Sequence, residues 1–368
     1  FILLLIDYYI GRKYTLKTLI EKIPFFAISL TIGLVNIISH KTSGDVIFEG
    51  KAFSLLNTIL ISNYSLVFYF NKLFFPLNLS VIYPYPSEHL VLPLKYFISI
   101  LIIPFVLFLL FKSGKFKKDF IFGLLFFFLS IIILLRIIPS GFFYAANRYS
   151  YISYTGLFFI IAQFFCWVMD NKFSFSKQIK NYVIIFFIGL FIFYSVSTIY
   201  RVKVWENSIT LFDDIIEKHP NLDIAYNNRG IAKKDLLDYQ GAIDDFSKAA
   251  EVNPKFAAAY NNRGEIRRIL NQNDLAMADF NKAILINDKY VEAYNNRGII
   301  YYNYGKFKLA LEDYNQAAIL SPKNNVIYHN RGNIKLMLKD TAGACRDWNR
   351  AEQFGNTAVR KIIDFYCK

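Results

Sequence analysis

The hexapeptide AYNNRG occupies 225–230, 259–264 and 293–298, and YHNRG follows at 328–332, so the same residues return every 34 positions. A fixed period of this length means one supersecondary unit stacked on copies of itself, because a single unit cannot bury its own apolar face. With Asp223 as position 1, Gly stands at position 8 of all four units (Gly230, Gly264, Gly298, Gly332). Ala stands at position 20 (Ala242, Ala276, Ala310, Ala344) and at position 27 (Ala249, Ala283, Ala317, Ala351). Position 24 is aromatic throughout: Phe246, Phe280, Tyr314 and Trp348. Pro254 and Pro322 stop a helix at position 32, where Asp288 and Asn356 depart from the pattern. Small residues let paired helices approach closely, and the aromatic residue fills the seam between units.

These residues resemble the tetratricopeptide repeat (TPR) family over 223–356, which implies a helix–turn–helix in each unit and an α-solenoid overall. The register extends backwards: Phe212 and Pro220 sit at positions 24 and 32 of an earlier unit, so WENSITLFDDIIEKHP reads as its second helix, and 201–222 as a half unit. Residues 357–368 read as a closing helix. Two ladders run through the repeats. Arg229, Arg263, Arg297 and Arg331 at position 7 match Asp245, Asp279, Asp313 and Asp347 at position 23, which predicts structural ion pairs between helices or between repeats. Asn228, Asn262, Asn296 and Asn330 at position 6, with Asn227, Asn261, Asn295 and His329 beside them, form a row of carboxamides that both donate and accept hydrogen bonds. In the TPR family position 6 faces the concave groove, so the resemblance implies a groove that holds an extended peptide or partner protein. The alternative is that these Asn residues only shape the first helix of each unit.

The first two hundred residues have a different character. They carry seven acids, repeatedly run sixteen or more residues almost without charge, and hold about +10 of the chain's net charge of +14. A basic balance raises nucleic acid as a partner, but most of the excess lies in short connections between apolar runs, the pattern of membrane topology. Apolar runs fall at about 1–10, 23–38, 52–75, 92–111, 119–138, 153–169 and 181–200, and a span needs roughly 20 such residues. Basic residues cluster at Arg12, Lys13, Lys17 and Lys22, at Lys112, Lys115, Lys117 and Lys118, and at Lys172, Lys177 and Lys180. The positive-inside rule places all three clusters in the cytoplasm. Simple alternation through seven spans cannot satisfy that, but six spans can if 52–75, with Asn57, Ser62, Asn63, Ser65 and Asn71, is an interfacial or re-entrant helix. The expected fold is therefore all-α: a polytopic transmembrane helix bundle over 1–200, then the TPR solenoid, the latter on the extracytoplasmic side. The three cysteines, Cys166, Cys345 and Cys367, read as scattered thiols, and neither they nor the four His have the spacing of a disulfide framework or metal site.

Two external loops are the candidates for chemistry. KLFFPLNLSVIYPYPSEH (72–89) is proline-rich and aromatic, and GFFYAANRYSYISYTGL (141–157) sets Arg148 among Tyr144, Tyr149, Tyr151 and Tyr154. An Arg there either snorkels in an aromatic belt or pairs with a lipid phosphate. FPLNLSVIYPYP, a span, a basic loop, a span, AANRYSYISYTG, two spans and then the repeats resembles the rear half of multi-spanning protein O-mannosyltransferases with TPR tails. That family belongs to the membrane glycosyltransferases that use polyprenyl-phosphate sugars. The resemblance implies transfer of a hexose from a polyprenyl-phosphate sugar donor in the membrane lipid to protein Ser or Thr, with the TPR groove recruiting the acceptor and no cofactor required. It implies a lipid-phosphate role for Arg148, while Asn147 stands where the family has an acidic residue. The proton-accepting carboxylate such transfer needs is expected upstream of Phe1, in a longer chain, so this stretch alone is expected to be inactive. Asp45, Glu49 and Glu88 read as solvated single acids. The rival expectation is a non-catalytic, membrane-anchored TPR scaffold. A transporter would need intramembrane charges.

Overall fold

The computed structural model describes residues 2–42, 54–85, 92–112, 114, 117–132, 143–146, 150–170 and 175–367. The chain divides into two compact units, Phe1–Val204 and Trp205–Lys368.

In the first unit α1 (Ile2–Ile10), α2 (Leu16–Ile20), α3 (Ile23–Thr42) and α4 (Leu55–Phe74) precede a two-residue strand, β1 (Tyr83–Pro84). The apolar run at 92–111 is not one helix: α5 (Leu94–Ile98), a 3₁₀ turn and α6 (Ile102–Lys112) share it. Then come α7 (Lys117–Ile131), β2 (Phe143–Ala145), α8 (Tyr151–Met169) and α9 (Lys177–Val204). The two strands pair antiparallel, Tyr83 opposite Ala145. Among the described residues the all-α expectation holds apart from this one short ribbon. Tyr83 lies in a proline-rich stretch that cannot be helical, and the ribbon is where its backbone finds partners.

This unit buries several polar side chains beside an apolar core. In α4, the expected interfacial helix, Asn63 and Ser65 are buried together with Leu60, Ile61 and Tyr69. Asn63 Nδ2 donates to Ser99 Oγ at 2.8 Å, and Ser65 Oγ donates to the Ile61 carbonyl at 2.8 Å. The helix therefore joins the core of its unit through a face that mixes these polar groups with Leu60, Ile61, Tyr69 and Leu73. Helices α7 and α8 cross at Gly123 and Gly156, where a Cβ added to either would run into the other's backbone, a close approach that only small residues permit. Near the start, Lys22 Nζ meets Asp7 at 2.5 Å, both buried, and Arg12 meets Glu21 at 2.8 Å. α8 and α9 are long and apolar enough to cross a membrane. No residue of the 28-residue α9 is buried; it shows Ile185, Phe191 and Ile199 on its surface, Phe191 at 73% exposure.

The second unit opens with α10 (Ser208–Lys218), capped reciprocally by Asn207 and Thr210. Four helix pairs follow: α11 (Asp223–Asp235) with α12 (Tyr239–Val252), α13 (Ala257–Ile269) with α14 (Asn273–Ile286), α15 (Val291–Asn303) with α16 (Phe307–Leu320), and α17 (Asn325–Met337) with α18 (Thr341–Gln353). A 3₁₀ turn (Thr357–Val359) and α19 (Arg360–Tyr366) close the stack. Every Ala at positions 20 and 27 is fully buried. Each position-8 Gly faces the ring at position 24: a Cβ on Gly264 would lie 2.8 Å from Phe280, and one on Gly332 2.5 Å from the Trp348 indole. Cys345 and Cys367 are joined by a disulfide, their Cα atoms 5.6 Å apart. That corrects the reading of three scattered thiols. The bond ties α18 to the end of α19, and a sequence separation of 22 residues carries no signal of such a pairing.

Candidate functional site

In each repeat the position-7 Arg comes from the middle of the first helix and the position-23 Asp from the second, facing it across the pair. Arg229 donates to Asp245 through Nε at 2.9 Å and Nη2 at 2.6 Å, and Arg263–Asp279, Arg297–Asp313 and Arg331–Asp347 repeat this two-pronged geometry. The remaining Nη1 reaches back to the second helix of the preceding repeat: to Asp213, Ser247, Asn281 and Asn315 in turn. Each guanidinium also lies over the ring at position 4 (Tyr226, Tyr260, Tyr294, Tyr328), 5.1–5.7 Å from its centroid. One Arg thus braces its own pair and the neighbouring repeat. The Asp carboxylates are 3–5% exposed, so they are committed to this brace.

A second cation completes three of the four braces: Lys233 on Asp245, Arg267 on Asp279 and Lys335 on Asp347, each at 2.7–2.9 Å. The third repeat has Tyr301 there, whose ring lies under Arg297. The difference shows in the carboxyls. Burial raises the pKa of Asp313 above its ordinary value despite the hydrogen bond from Arg297. Burial pushes Asp347 the same way, but hydrogen bonds from Arg331 and Lys335 outweigh it and hold the carboxyl below that value.

The Asn residues link first helix to first helix. Asn262 Nδ2 donates to Asn227 Oδ1 at 3.0 Å, Asn296 to Asn261 at 3.1 Å and Asn330 to Asn295 at 3.0 Å. Each position-6 amide therefore reaches the position-5 carbonyl oxygen of the repeat before it. Asn227 and Asn261 are buried, and Asn228, Asn262, Asn296 and Asn330 are half-buried. The ladder ends at His329, whose Nδ1 lies 3.5 Å from Asn356 Nδ2, and burial lowers the pKa of that imidazole. The row is a built element of the stack. An amide has two N–H groups and two carbonyl lone pairs, so each position-6 side chain keeps capacity for a further partner.

In the first unit the two loops singled out in the sequence meet. Besides the β1–β2 pairing, the buried Tyr69 hydroxyl accepts from the Ala146 N–H at 3.0 Å and donates to the Ala146 carbonyl at 3.2 Å. Tyr154 Oη donates to the Tyr69 carbonyl at 2.8 Å. Lys72 lies over the Phe68 and Tyr83 rings and donates to the Leu77 and Asn78 carbonyls. Arg148, Asn147 and Tyr149 lie outside the described residues, as do Asp45, Glu49 and Glu88. Among the described residues no group of three or more His, Cys, Asp or Glu could hold a metal ion. Tyr69 escaped the sequence reading because it sits in an apolar helix. The position-4 Tyr row and the position-11 cations were there to be found, since they keep the 34-residue period.

The helix pairs, their buried Ala seams and the inter-repeat braces define a helical-repeat solenoid. Its repeats are tetratricopeptide repeats: the "Tetratricopeptide repeat" family model matches residues 291–324 and the "TPR repeat" model matches 264–305. Among solved structures the chain is similar to MamA, at 20% identity over 41% of this chain and 89% of that one, with a TM-score of 0.37. It is also similar to YrrB, described as a TPR protein with an unusual peptide-binding site, at 19% identity over 46% and 87%, TM-score 0.37. A third is the first TPR of Spaghetti (RPAP3) bound to an HSP90 peptide, at 25% identity over 32% and 93%, TM-score 0.31. No curated protein sequence matches the chain.

Proposed function

We propose that the chain is a membrane-anchored recruiter, in which a TPR solenoid binds a protein partner and a helical unit holds it at the bilayer. The observation that carries the binding half is the continuous carboxamide row from Asn227 to Asn330, at one register through four repeats, whose spare N–H and carbonyl capacity suits the backbone of an extended peptide. The anchoring half is supported by α9, apolar on every face with no residue buried; a helix of that kind is stable in hydrocarbon and not in water. The solenoid lies on the extracytoplasmic side. The three basic connections support this, and so does the Cys345–Cys367 bond, because disulfides persist in oxidising compartments.

The test is capture of peptides from a random display library by the full chain in detergent, compared with the Asn262→Ala/Asn296→Ala double variant. Loss of one backbone-directed hydrogen bond per site predicts roughly a tenfold weaker Kd for each, about 1.4 kcal/mol. Capture unchanged in a variant that keeps its thermal midpoint removes the groove from the account. Sidedness is tested by whether a membrane-impermeant reductant reaches Cys345–Cys367 in sealed cells.

A finer reading has the recruiter serve polyprenyl-phosphate-sugar transfer to Ser or Thr of the recruited protein. It is favoured by one observation: the described parts of the two candidate loops, 72–85 and 143–146, are held together by Tyr69 and the β1–β2 ribbon, and Tyr154 joins them through the Tyr69 carbonyl. In that reading Arg148 contacts the lipid phosphate. Transfer of labelled sugar from a polyprenyl phosphate by the full-length protein, abolished by Arg148→Ala, would establish it. No transfer from several donors would leave the non-catalytic scaffold.

A further inference from the structure

We infer that Arg268, at the junction of the second and third repeats, takes an acidic side chain of the bound peptide. The inference rests on the peptide-binding half of the reading above and names the chemistry of that peptide.

The three junctions between first helices carry different residues at one pair of positions. In the first junction, position 12 of one repeat meets position 9 of the next: Lys234 Nζ lies 3.3 Å from Glu265 Oε2. In the second the same positions hold Arg268 and Ile299, so the cation is kept and the acid is gone. In the third they hold Tyr302 and Asn333, both uncharged, and Asn333 accepts from the Trp348 indole at 3.1 Å. The second junction alone is left with an unbalanced charge at this pair.

The imbalance is not made up elsewhere. The first helices α11, α13, α15 and α17 carry nine Lys and Arg. Eight of them meet a carboxylate in their own or a neighbouring repeat. Arg268 meets none among the described residues. Its side chain is half-buried, and its Nε is buried without a hydrogen-bond partner. A buried donor left unpaired is unfavourable, and the fold supplies no acceptor for this one.

A second donor lies beside it. Trp348 shows where the polar tip of a position-24 ring falls, because its Nε1 donates to position 9 of its own repeat. In the third repeat that ring is Tyr314 and position 9 is Ile299, which can accept nothing. The Tyr314 hydroxyl has no hydrogen-bond partner among the described residues, and Arg268 acts on it as a nearby positive charge. A guanidinium and a phenol from adjacent repeats therefore converge where the first junction holds the Glu265 carboxylate. That junction is the internal template for the missing group, and a guanidinium suits a carboxylate through paired N–H bonds.

The site belongs to the same face as the carboxamide row. Asn261, Glu265 and Arg268 follow one another at i, i+4 and i+7, which places them on one side of α13. Seven residues of helix rise about 10 Å, a distance that about three residues of extended chain cover. A peptide whose backbone engages the carboxamides thus presents its acid about three residues away.

The experiment selects peptides from a random display library on the full chain in detergent and titrates synthetic copies of those that require Asn262 and Asn296. These should share an Asp or Glu at one fixed place. Its replacement by Asn or Gln should weaken binding to the wild type about tenfold or more and leave binding to Arg268→Met, which keeps the aliphatic stem, unchanged. Ile299→Glu supplies from within the acid that the first junction has. It should weaken the acidic peptide by a similar factor while the thermal midpoint is kept or raised. Peptides that require the carboxamides but carry no shared acid overturn the inference and leave the groove standing. So does an acid that matters equally to Arg268→Met, or binding unchanged by Ile299→Glu. Capture that ignores Asn262→Ala/Asn296→Ala overturns both readings. Phosphoserine at the acid's place binding about tenfold more tightly than Glu overturns the assignment to a carboxylate in favour of a phosphate.

Discussion

The two units differ in what they leave outside. In the repeats Phe246 and Phe280 are fully buried, together with Asn227, Asn261 and the brace carboxylates. In the first unit Asn63, Ser65, Ser99 and Ser153 are buried while Phe191, Ile185 and Tyr182 stand outside. Both units pair buried polar groups, but from different supplies. The solenoid solves one problem once and copies it at 34 residues; the first unit solves each case singly, with Asn63 on Ser99, Tyr69 on Ala146 and Lys22 on Asp7. α9 exposes apolar side chains along its length, and such exposure on every face is unfavourable in water.

The largest effect that would sharpen the contrast is loss of one copied brace. Asp279→Ala leaves Arg263 and Arg267 facing a buried, empty site. Removing one partner of a buried pair costs about 3–5 kcal/mol. The unfolding free energy of the solenoid, from denaturant titration, should drop by that amount, while the helicity of the first unit is unchanged. An effect as small as that of a surface salt bridge would mean the braces are solvated. Reduction of Cys345–Cys367 comes next, at about 3 kcal/mol for a loop of this length. It should be read in α18 and α19 by hydrogen exchange, the first repeat keeping its protection.

Glycine gives a smaller effect with a sharper geometry. Gly264→Ala pushes a methyl group against the Phe280 ring and should destabilise the repeats by about 1–3 kcal/mol. Gly189→Ala in α9 meets nothing within 4 Å and should leave the thermal midpoint of the first unit unchanged or slightly higher, since Ala is the better helix former. Equal losses at the two positions would refute open surroundings for α9.

How much of this was legible in the sequence follows the same division. A side chain that recurs announces itself, and Arg229, Asp245, Gly230 and Phe246 could be placed in register, helix and seam before any coordinates. Position 25 could not be read in that way, because Asp213, Ser247, Asn281 and Asn315 share only the ability to accept a hydrogen bond, and chemistry of that kind hides under changing residue names. The first unit offered hydropathy alone. Hydropathy marks an apolar run, but it does not say that 92–111 breaks at Ser99, that α9 runs on to Val204, or that Asn63 and Ser65 of α4 are buried. The pairing of Cys345 with Cys367 depends on where α19 folds back, which no local pattern encodes.

The finest test lies inside the solenoid, between two copies that differ by one cation. Asp347 is held below its ordinary pKa of 3.8 by Arg331 and Lys335, against the pull of burial. Its contribution to stability is therefore full above that value and is lost as pH falls through the depressed one. Asp313 sits above 3.8 because burial outweighs its single partner, Arg297. Its contribution is full below 3.8 and is lost as pH rises through the elevated value. Unfolding free energies of wild type, Asp313→Asn and Asp347→Asn, measured from acid to neutral pH, should diverge in opposite directions. Relative to Asp347→Asn the wild type gains stability as pH rises in the window below 3.8. Relative to Asp313→Asn it loses stability as pH rises in the window above 3.8. Placing a second cation with Tyr301→Lys should carry the third repeat into the pattern of the fourth and reverse the sign of its slope. If the two slopes share a sign in the wild-type background, the position-11 cation is not what sets the carboxyl, and the copies are electrostatically equivalent.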